Sequence, residues 1–202
     1  HRIARRQRQM CIRDRLEEAK SIKHLMSHFP HNPYCEVCIR AHMKQKRVHK
    51  RTEREDDGLE SPTAPLSYLS TDTVIIASSH RDSTRTSASG CTSIHTIRDM
   101  FSGCALAIPQ HTHDTNSNYV NLKFFGGVKC SDPHVLVKSD AAKELTKAVS
   151  DLGWHPEPSL ENKWPHNERH ERWIGTYKSV FRASMLQSGF PNNAWDFAVQ
   201  HT

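Results

Sequence analysis

Asn167-Glu168-Arg169-His170-Glu171-Arg172, running on through Trp173-Ile174-Gly175-Thr176-Tyr177-Lys178-Ser179-Val180-Phe181, is the stretch that decides how this chain reads. Ile174, Tyr177, Phe181 and Met185 recur at intervals of 3, 4 and 4, which is one face of an α-helix. Glu171 falls one turn after Asn167 near the start of that helix, so the two side chains can face one point. Two further acids sit in strand-like runs. Val135–Asp140 is a short apolar run that ends in Asp140, and Tyr68–Ile76 carries Asp72 inside it. Three carboxylates from two strands and a helix can converge on divalent metal ions. An unpaired charge within an apolar strand is costly, and that favours Asp72 over Asp82 or Asp99 as the first acid. Asp140 could equally N-cap a helix beginning at Ala141. Glu168, at the helix start where the macrodipole favours an acid, competes with Glu171. Glu144, one turn after Asp140, reads as a helix-surface charge or a group lying behind the site.

Charge must be located before it is used. The 202 residues carry a formal net charge of +6, which taken whole suggests a nucleic-acid partner. Residues 1–15 alone hold six Arg and one Asp, leaving a net of +1 for residues 16–202. The string from Arg5 to Arg15 reads as an in-frame translation of a sequencing-library adapter, so residues 1–15 are set aside in reading the fold. A local basic run, Ile39–Glu55, survives that exclusion with Glu53 and Glu55 as its only acids. It suits either a polyanion-facing surface or a solvated helix and linker. No run approaches the length of a membrane-spanning helix, and no membrane partner is expected. The six Cys include one Cys-x-x-Cys pair, a usage that suits a metal site in a reducing compartment better than a disulfide framework.

In chain order, Leu16–Phe29 reads as one helix with Ile22, Leu25, Met26 and Phe29 as its apolar stripe, ended by Pro30 and Pro33. Within it His24 and His28 are four apart, and Cys35 and Cys38 follow. Histidines at that spacing share a helix face, and Cys-x-x-Cys offers two thiolates from a turn, so the set completes a tetrahedral shell for one Zn²⁺. His31 and His42 are the available substitutes. Asp56–Pro65 reads as a polar, turn-rich linker. Strands follow near 67–77, 92–98 and 104–109, with Phe101-Ser102-Gly103 as a hairpin turn. A helix over Thr115–Phe125, a strand at Val135–Lys138 and a helix over Ala141–Leu152 come next. A short strand near Trp154–His155, a loop from Pro156 to Pro165, the long helix from Asn167 and a last helix from about Asn193 complete the layout. This is a mixed α/β order with helices covering a sheet, compatible with an RNase H-like fold.

These residues together resemble the integrases of LTR retroelements, retroviruses and Copia- or Gypsy-type retrotransposons. The resemblance covers roughly residues 20–202. It rests on His24/His28/Cys35/Cys38, then Asp72, then Ser139-Asp140 with Glu144-Leu145, then Asn167-x-x-x-Glu171, in the family's order of zinc module and D,D-E core. It implies an α/β RNase H-like core, residues 66–202 and cut short at its C-terminus, after a small helical zinc module at 16–50 and a linker at 51–65. It implies that Asp72, Asp140 and Glu171 are catalytic and hold two Mg²⁺ (or Mn²⁺) ions, and that one Zn²⁺ sits in the module. The expected activity is 3′-end processing and strand transfer into target DNA, with Asn167, Lys138, Lys143 and Arg172 against DNA. Multimers of the chain, synthesis within a polyprotein and action in the nucleus follow from the same resemblance. The sequence departs from the family at Ala141 and Ala142, where Asn and Gly are usual, and at Glu168, where Gly is usual. Those departures keep open a catalytically inactive DNA-binding fragment. An RNase H-type nuclease, which would lack the zinc module, is the other alternative.

Overall fold

The computed structural model describes residues 13–42, 61–77, 85–127, 134–158 and 168–201. They form two compact units. One comprises the described residues up to 42 with Gly175–Pro191 and His201; the other comprises the described residues between 50 and Ile174 with Asn192–Gln200.

The larger unit is built on a five-stranded sheet of order β3-β2-β1-β4-β5. The strands are β1 (Tyr68–Ile75), β2 (Ser93–Asp99), β3 (Ala105–Gln110), β4 (Leu136–Ser139) and β5 (His155–Pro158). β1–β2 and β2–β3 are antiparallel, whereas β1–β4 and β4–β5 are parallel. Side chains alternate across a strand, so each strand divides its residues between two layers. Leu69, Ile97 and Val137 pack with Leu122, Ala148, Val149 and Trp154 in one apolar core. Leu122 belongs to helix α4 (Thr115–Gly126), and Ala148 and Val149 belong to α5 (Lys143–Asp151), so these helices cover that face. The opposite face carries Ser70, Asp72, Thr96, Arg98 and Lys138, which alternate with the core residues and are paired in register as Ser70↔Arg98, Asp72↔Thr96 and Ser70↔Lys138. One face of the sheet thus holds the main apolar cluster, and the other carries Asp72 among polar neighbours. This is the RNase H-like α/β arrangement.

The β2–β3 hairpin is tied by Asp99, which is 1% exposed. Its carboxylate accepts from the backbone N–H groups of Leu66 (3.2 Å), Phe101 (3.3 Å) and Ser102 (3.1 Å) and from the Ser102 hydroxyl (2.5 Å). Gly103 closes the turn at φ +75°, a left-handed conformation that costs an L-residue about 1–2 kcal/mol.

Two expectations fail here, each for a local reason. β5 contains Pro156 and Pro158 where a loop was expected. It is an edge strand, and a proline is tolerated where its missing N–H would have faced away from the ladder. Pro109 occupies the other edge strand on the same terms. The expected single helix over Leu16–Phe29 is two helices, α1 (13–19) and α2 (Ile22–Ser27). Ser21 breaks the run by capping α2, its hydroxyl accepting from the His24 N–H at 3.2 Å. The anticipated apolar stripe points outward, Ile22 being 78% and Met26 70% exposed, while His24 and His28 are buried.

The remaining elements are α3 (Glu36–His42), the long α6 (Glu168–Ser188), a 3₁₀ turn at Asn192–Ala194 and α7 (Trp195–His201). In the sheet unit, Trp195 Nε1 donates to the Arg85 carbonyl at 2.8 Å, and the Ala88 N–H donates to the Asn193 carbonyl. No helix among the described residues is long and apolar enough to cross a membrane.

Candidate functional site

The smaller unit gathers the four expected zinc donors. His24 lies in α2 and Cys38 in α3, while His28 closes α2 in a left-handed conformation (φ 51°) that turns its ring back toward His24. The connecting loop is fixed by Asn32, whose Oδ1 accepts from the Tyr34 N–H (3.0 Å) and whose Nδ2 donates to the Arg15 carbonyl (2.9 Å). This places Cys35 just before α3, facing the histidines. One ligand atom from each of His24, His28, Cys35 and Cys38 lies within 4.8 Å of the others, and all four residues are buried. Cys38 Sγ is 3.4 Å from His24 Nε2 and 3.6 Å from His28 Nδ1, and Cys35 Sγ is 3.5 Å from His28 Nδ1. A tetrahedral zinc with N and S ligands at about 2.0–2.3 Å needs edges of about 3.3–3.8 Å, and these three His–Cys edges fall in that range. The geometry also assigns the ligating atoms, Nε2 for His24 and Nδ1 for His28. His28 Nε2 is hydrogen-bonded to Gln187 Oε1, the kind of outer partner that fixes a ligand's tautomer. Burial, then His28, lowers the His24 pKa, keeping the imidazole in its neutral ligand form. Burial raises the Cys38 pKa, a bias that a divalent cation reverses. His31 and His42 meet edge-to-face, their ring centroids 4.2 Å apart, and stand outside the set.

The second candidate lies on the polar face of the sheet. Asp72 is on the central strand β1, half-buried, with the Thr73 N–H donating to its own carboxylate at 2.7 Å. Its register partner is Thr96, and opposed residues of an antiparallel pair project from the same face. The β1–β4 register ends at Ser70↔Lys138, and Asp72 and Asp140 each lie two residues beyond that pair along their chains. Asp140 is exposed, and the residue that caps α5 is Ala142, which makes no side-chain capping bond. The capping role open to Asp140 in the sequence is therefore not used. Glu171 is exposed in the first turns of α6, two residues after Arg169, whose carbonyl accepts from Arg98 Nη1 at 3.1 Å. Asp72, Asp140 and Glu171 thus come from neighbouring elements around one sheet face. Their carboxylates are not drawn into a common group of ligand distance, which among the described residues only the His₂Cys₂ set forms. Mutual repulsion of three carboxylates opposes such gathering.

Of the other candidates, Asp99 is consumed by the hairpin turn, and Asp82 lies outside the described residues, as does Asn167. Glu144, Lys143 and Arg172 are exposed, whereas Lys138 is 5% exposed. The basic run from residue 43 onward also falls outside the described residues.

Sequence reasoning missed two buried Thr–His pairs, one on each face of the sheet. Thr71 Oγ1 donates to the Thr96 carbonyl (3.0 Å), so it accepts from His95 Nε2 (2.7 Å), and His95 Nδ1 then accepts from Asn121 Nδ2 (3.4 Å). Thr96 Oγ1 likewise donates to the Asp72 carbonyl (2.9 Å) and accepts from His170 Nε2 (3.0 Å). Both imidazoles are neutral Nε2–H tautomers. Burial pushes the His95 pKa down to about 3, with His170 adding to the shift; burial, then the Arg98 charge, pushes His170 down to about 4. A signal for His170 was present, because it lies four residues before Ile174 and extends the helix stripe by one turn.

The sheet order, the Asp72-bearing face and the His₂Cys₂ cluster define a mixed α/β fold with a zinc-type site. No family model matches the chain, and no curated protein matches it. Among solved structures it is similar to a chain of the simian T-cell lymphotropic virus intasome, determined by cryo-EM in complex with PP2A regulatory subunit B56 gamma. That match has 14% identity and a TM-score of 0.51, and covers 76% of this chain and 53% of that one. The chain therefore spans about half the length of this neighbour. It is also similar, at 13% identity and TM-score 0.43, to the HTLV-2 integrase catalytic core domain in complex with magnesium. The trimeric form covers 67% of this chain and 83% of that one, and the dimeric form 68% and 85%. The likeness to the intasome chain shows a shared fold.

Proposed function

We propose that this chain is a retroelement-type integrase, a polynucleotidyl transferase that processes DNA 3′ ends and joins them to target DNA. The observation that carries the reading is the placement of Asp72, Asp140 and the start of α6 around one polar sheet face, in a fold shared with a chain from a viral intasome. Carboxylate oxygens are the donors that Mg²⁺ prefers, so Asp72, Asp140 and Glu171 fit the role of its ligands. Two such ions, when bound, neutralise charge on the attacking and leaving oxygens of a phosphodiester. The chain's own contribution is to hold the three acids on rigid elements and to present Lys143 and Arg172 to the DNA backbone. Lys138, being buried, is assigned no such contact. Zn²⁺ at His24, His28, Cys35 and Cys38 serves the fold of residues 16–50, ahead of the linker at 51–65 and the core at 66–202. Action in the nucleus, on element ends and target DNA, and as a multimer, belongs to the same reading.

A strand-joining assay on labelled branched DNA with Mn²⁺ or Mg²⁺ tests it. Joining that is abolished separately by Asp72→Asn, Asp140→Asn and Glu171→Gln is the expected result. A folded, zinc-loaded protein that binds DNA without joining it would favour the inactive DNA-binding reading, which Ala141 and Ala142 beside Asp140 support. Hydrolysis of RNA in a hybrid would instead favour a nuclease.

A further inference from the structure

We propose that His170, acting through Thr96, is the positioning residue that fixes Glu171 relative to Asp72; this rests on the integrase reading above. Thr96 is the register partner of Asp72, and its hydroxyl touches both sides of the candidate site. It donates to the Asp72 backbone carbonyl at 2.9 Å and accepts from His170 Nε2 at 3.0 Å. His170 immediately precedes Glu171, so a single hydroxyl joins the backbone of one candidate acid to the side chain next to another. Arg98, two residues after Thr96 on the same strand face, donates to the carbonyl of Arg169 at 3.1 Å. The first turns of α6 are therefore held to β2 at two consecutive residues.

The direction of these bonds makes the device specific. Thr96 has one hydroxyl proton, and the Asp72 carbonyl takes it, so His170 must be the donor. His170 is 0% exposed, and its Nδ1 has no hydrogen-bond partner. Water cannot replace the Nε2 donor there, and loss of either partner leaves a buried polar atom unmade. The Trp173 ring, 5.5 Å from the imidazole centroid on the same helix, limits its rotation. A metal site needs its ligands held to a fraction of an ångström, and a displacement of about 1 Å costs on the order of a hundredfold in rate. A hydrogen-bonded link between the two ligand-bearing elements supplies that constraint.

The test uses the full chain and reads Mn²⁺ half-saturation, joining rate on branched DNA and melting temperature for His170→Leu, His170→Gln, Thr96→Val and Thr96→Ser. Leucine fills the space without a donor, whereas glutamine places an N–H close to where Nε2 lies. His170→Leu and Thr96→Val are expected to raise Mn²⁺ half-saturation about tenfold and slow joining on the order of a hundredfold. His170→Gln and Thr96→Ser are expected to recover most of both. A purely structural role would lower the melting temperature of both variants at each position without this pattern in metal binding, and would overturn the proposal. Should His170→Leu fail to fold, Thr96→Val carries the test. Mn²⁺ binding that requires Asp72, by Asp72→Asn, yet ignores His170→Leu and Thr96→Val would refute the positioning role alone. Mn²⁺ binding indifferent to Asp72→Asn would overturn the metal-site reading, and the positioning role with it.

Discussion

Cys38→Ser removes the most deeply buried of the four zinc donors, 1% exposed, at the cost of one altered atom. Its consequence follows from what else holds residues 13–42 together. The buried apolar cluster there is Ala19, Cys35 and Cys38, with Val37 packed against it, so two of its three members are ligands. The helix stripe that could have supplied a core faces outward instead. Structural zinc contributes about 10–16 kcal/mol in comparable small modules, as much as or more than the roughly 5–15 kcal/mol that stabilises a whole domain. Losing one of four ligands should weaken zinc binding by at least about a hundredfold, or ~2.7 kcal/mol. The assay is zinc competition against a chromophoric chelator at fixed pH, paired with amide hydrogen exchange. Wild-type protein should bind one zinc, and stripping it should expose the amides of residues 24–38 while those of β1 and β2 stay protected. Retained protection at His24 and Cys38 after complete zinc removal, or unchanged affinity in Cys38→Ser, would refute the reasoning.

Two other outcomes follow from the sheet unit. His95 is fully buried and neutral, with a pKa of about 3 against about 6.5 when unfolded. Its folded pKa is depressed, so its contribution to stability is complete above pH 6.5 and is lost as pH falls toward 3. The slope should be about 1.4 kcal/mol per pH unit, and denaturant titrations of wild type and His95→Leu between pH 4 and pH 7 would measure it as a flatter profile in the variant. Gly103→Ala should destabilise the sheet unit by about 1–2 kcal/mol, because alanine must adopt the left-handed conformation at φ +75°. A midpoint shift in urea, with unchanged slope, checks that value.

The sheet was legible because its central strands are short strand-like runs bounded by turn signals. Tyr68–Ile75, Ser93–Asp99 and Leu136–Ser139 lie within two residues of where the pattern put them. β5 was legible only at its start, near His155, since Pro156 reads as a loop until its edge position is known. Ile22, Leu25, Met26 and Phe29 misled for a related reason. Their spacing is that of a core stripe, but the inward face of α2 is taken by His24 and His28, whose own spacing of four is equally helical. The zinc set was legible as a donor combination, because four ligands so close in sequence have few other uses. Which atoms of those histidines face the sulfurs was not. The Thr71–His95 and Thr96–His170 pairs were invisible for a different reason. They depend on strand register and on the entry of α6, neither of which a single sequence specifies. Asp99 shows the same limit, since an acid inside a strand end reads as a candidate ligand until its four hydrogen bonds, three from the hairpin turn and one from Leu66, are seen.

The central claim is that Asp72, Asp140 and Glu171 form one metal site on the polar face of the sheet. Crystals of the full chain soaked in Mn²⁺, with anomalous scattering collected at the manganese edge, test it most directly. Manganese peaks are expected at the Asp72 carboxylate, with Asp140 or Glu171 also within ligand distance, about 2.0–2.3 Å. Manganese found only at other carboxylates, with Asp72 retaining no ion at saturating concentration, would contradict it.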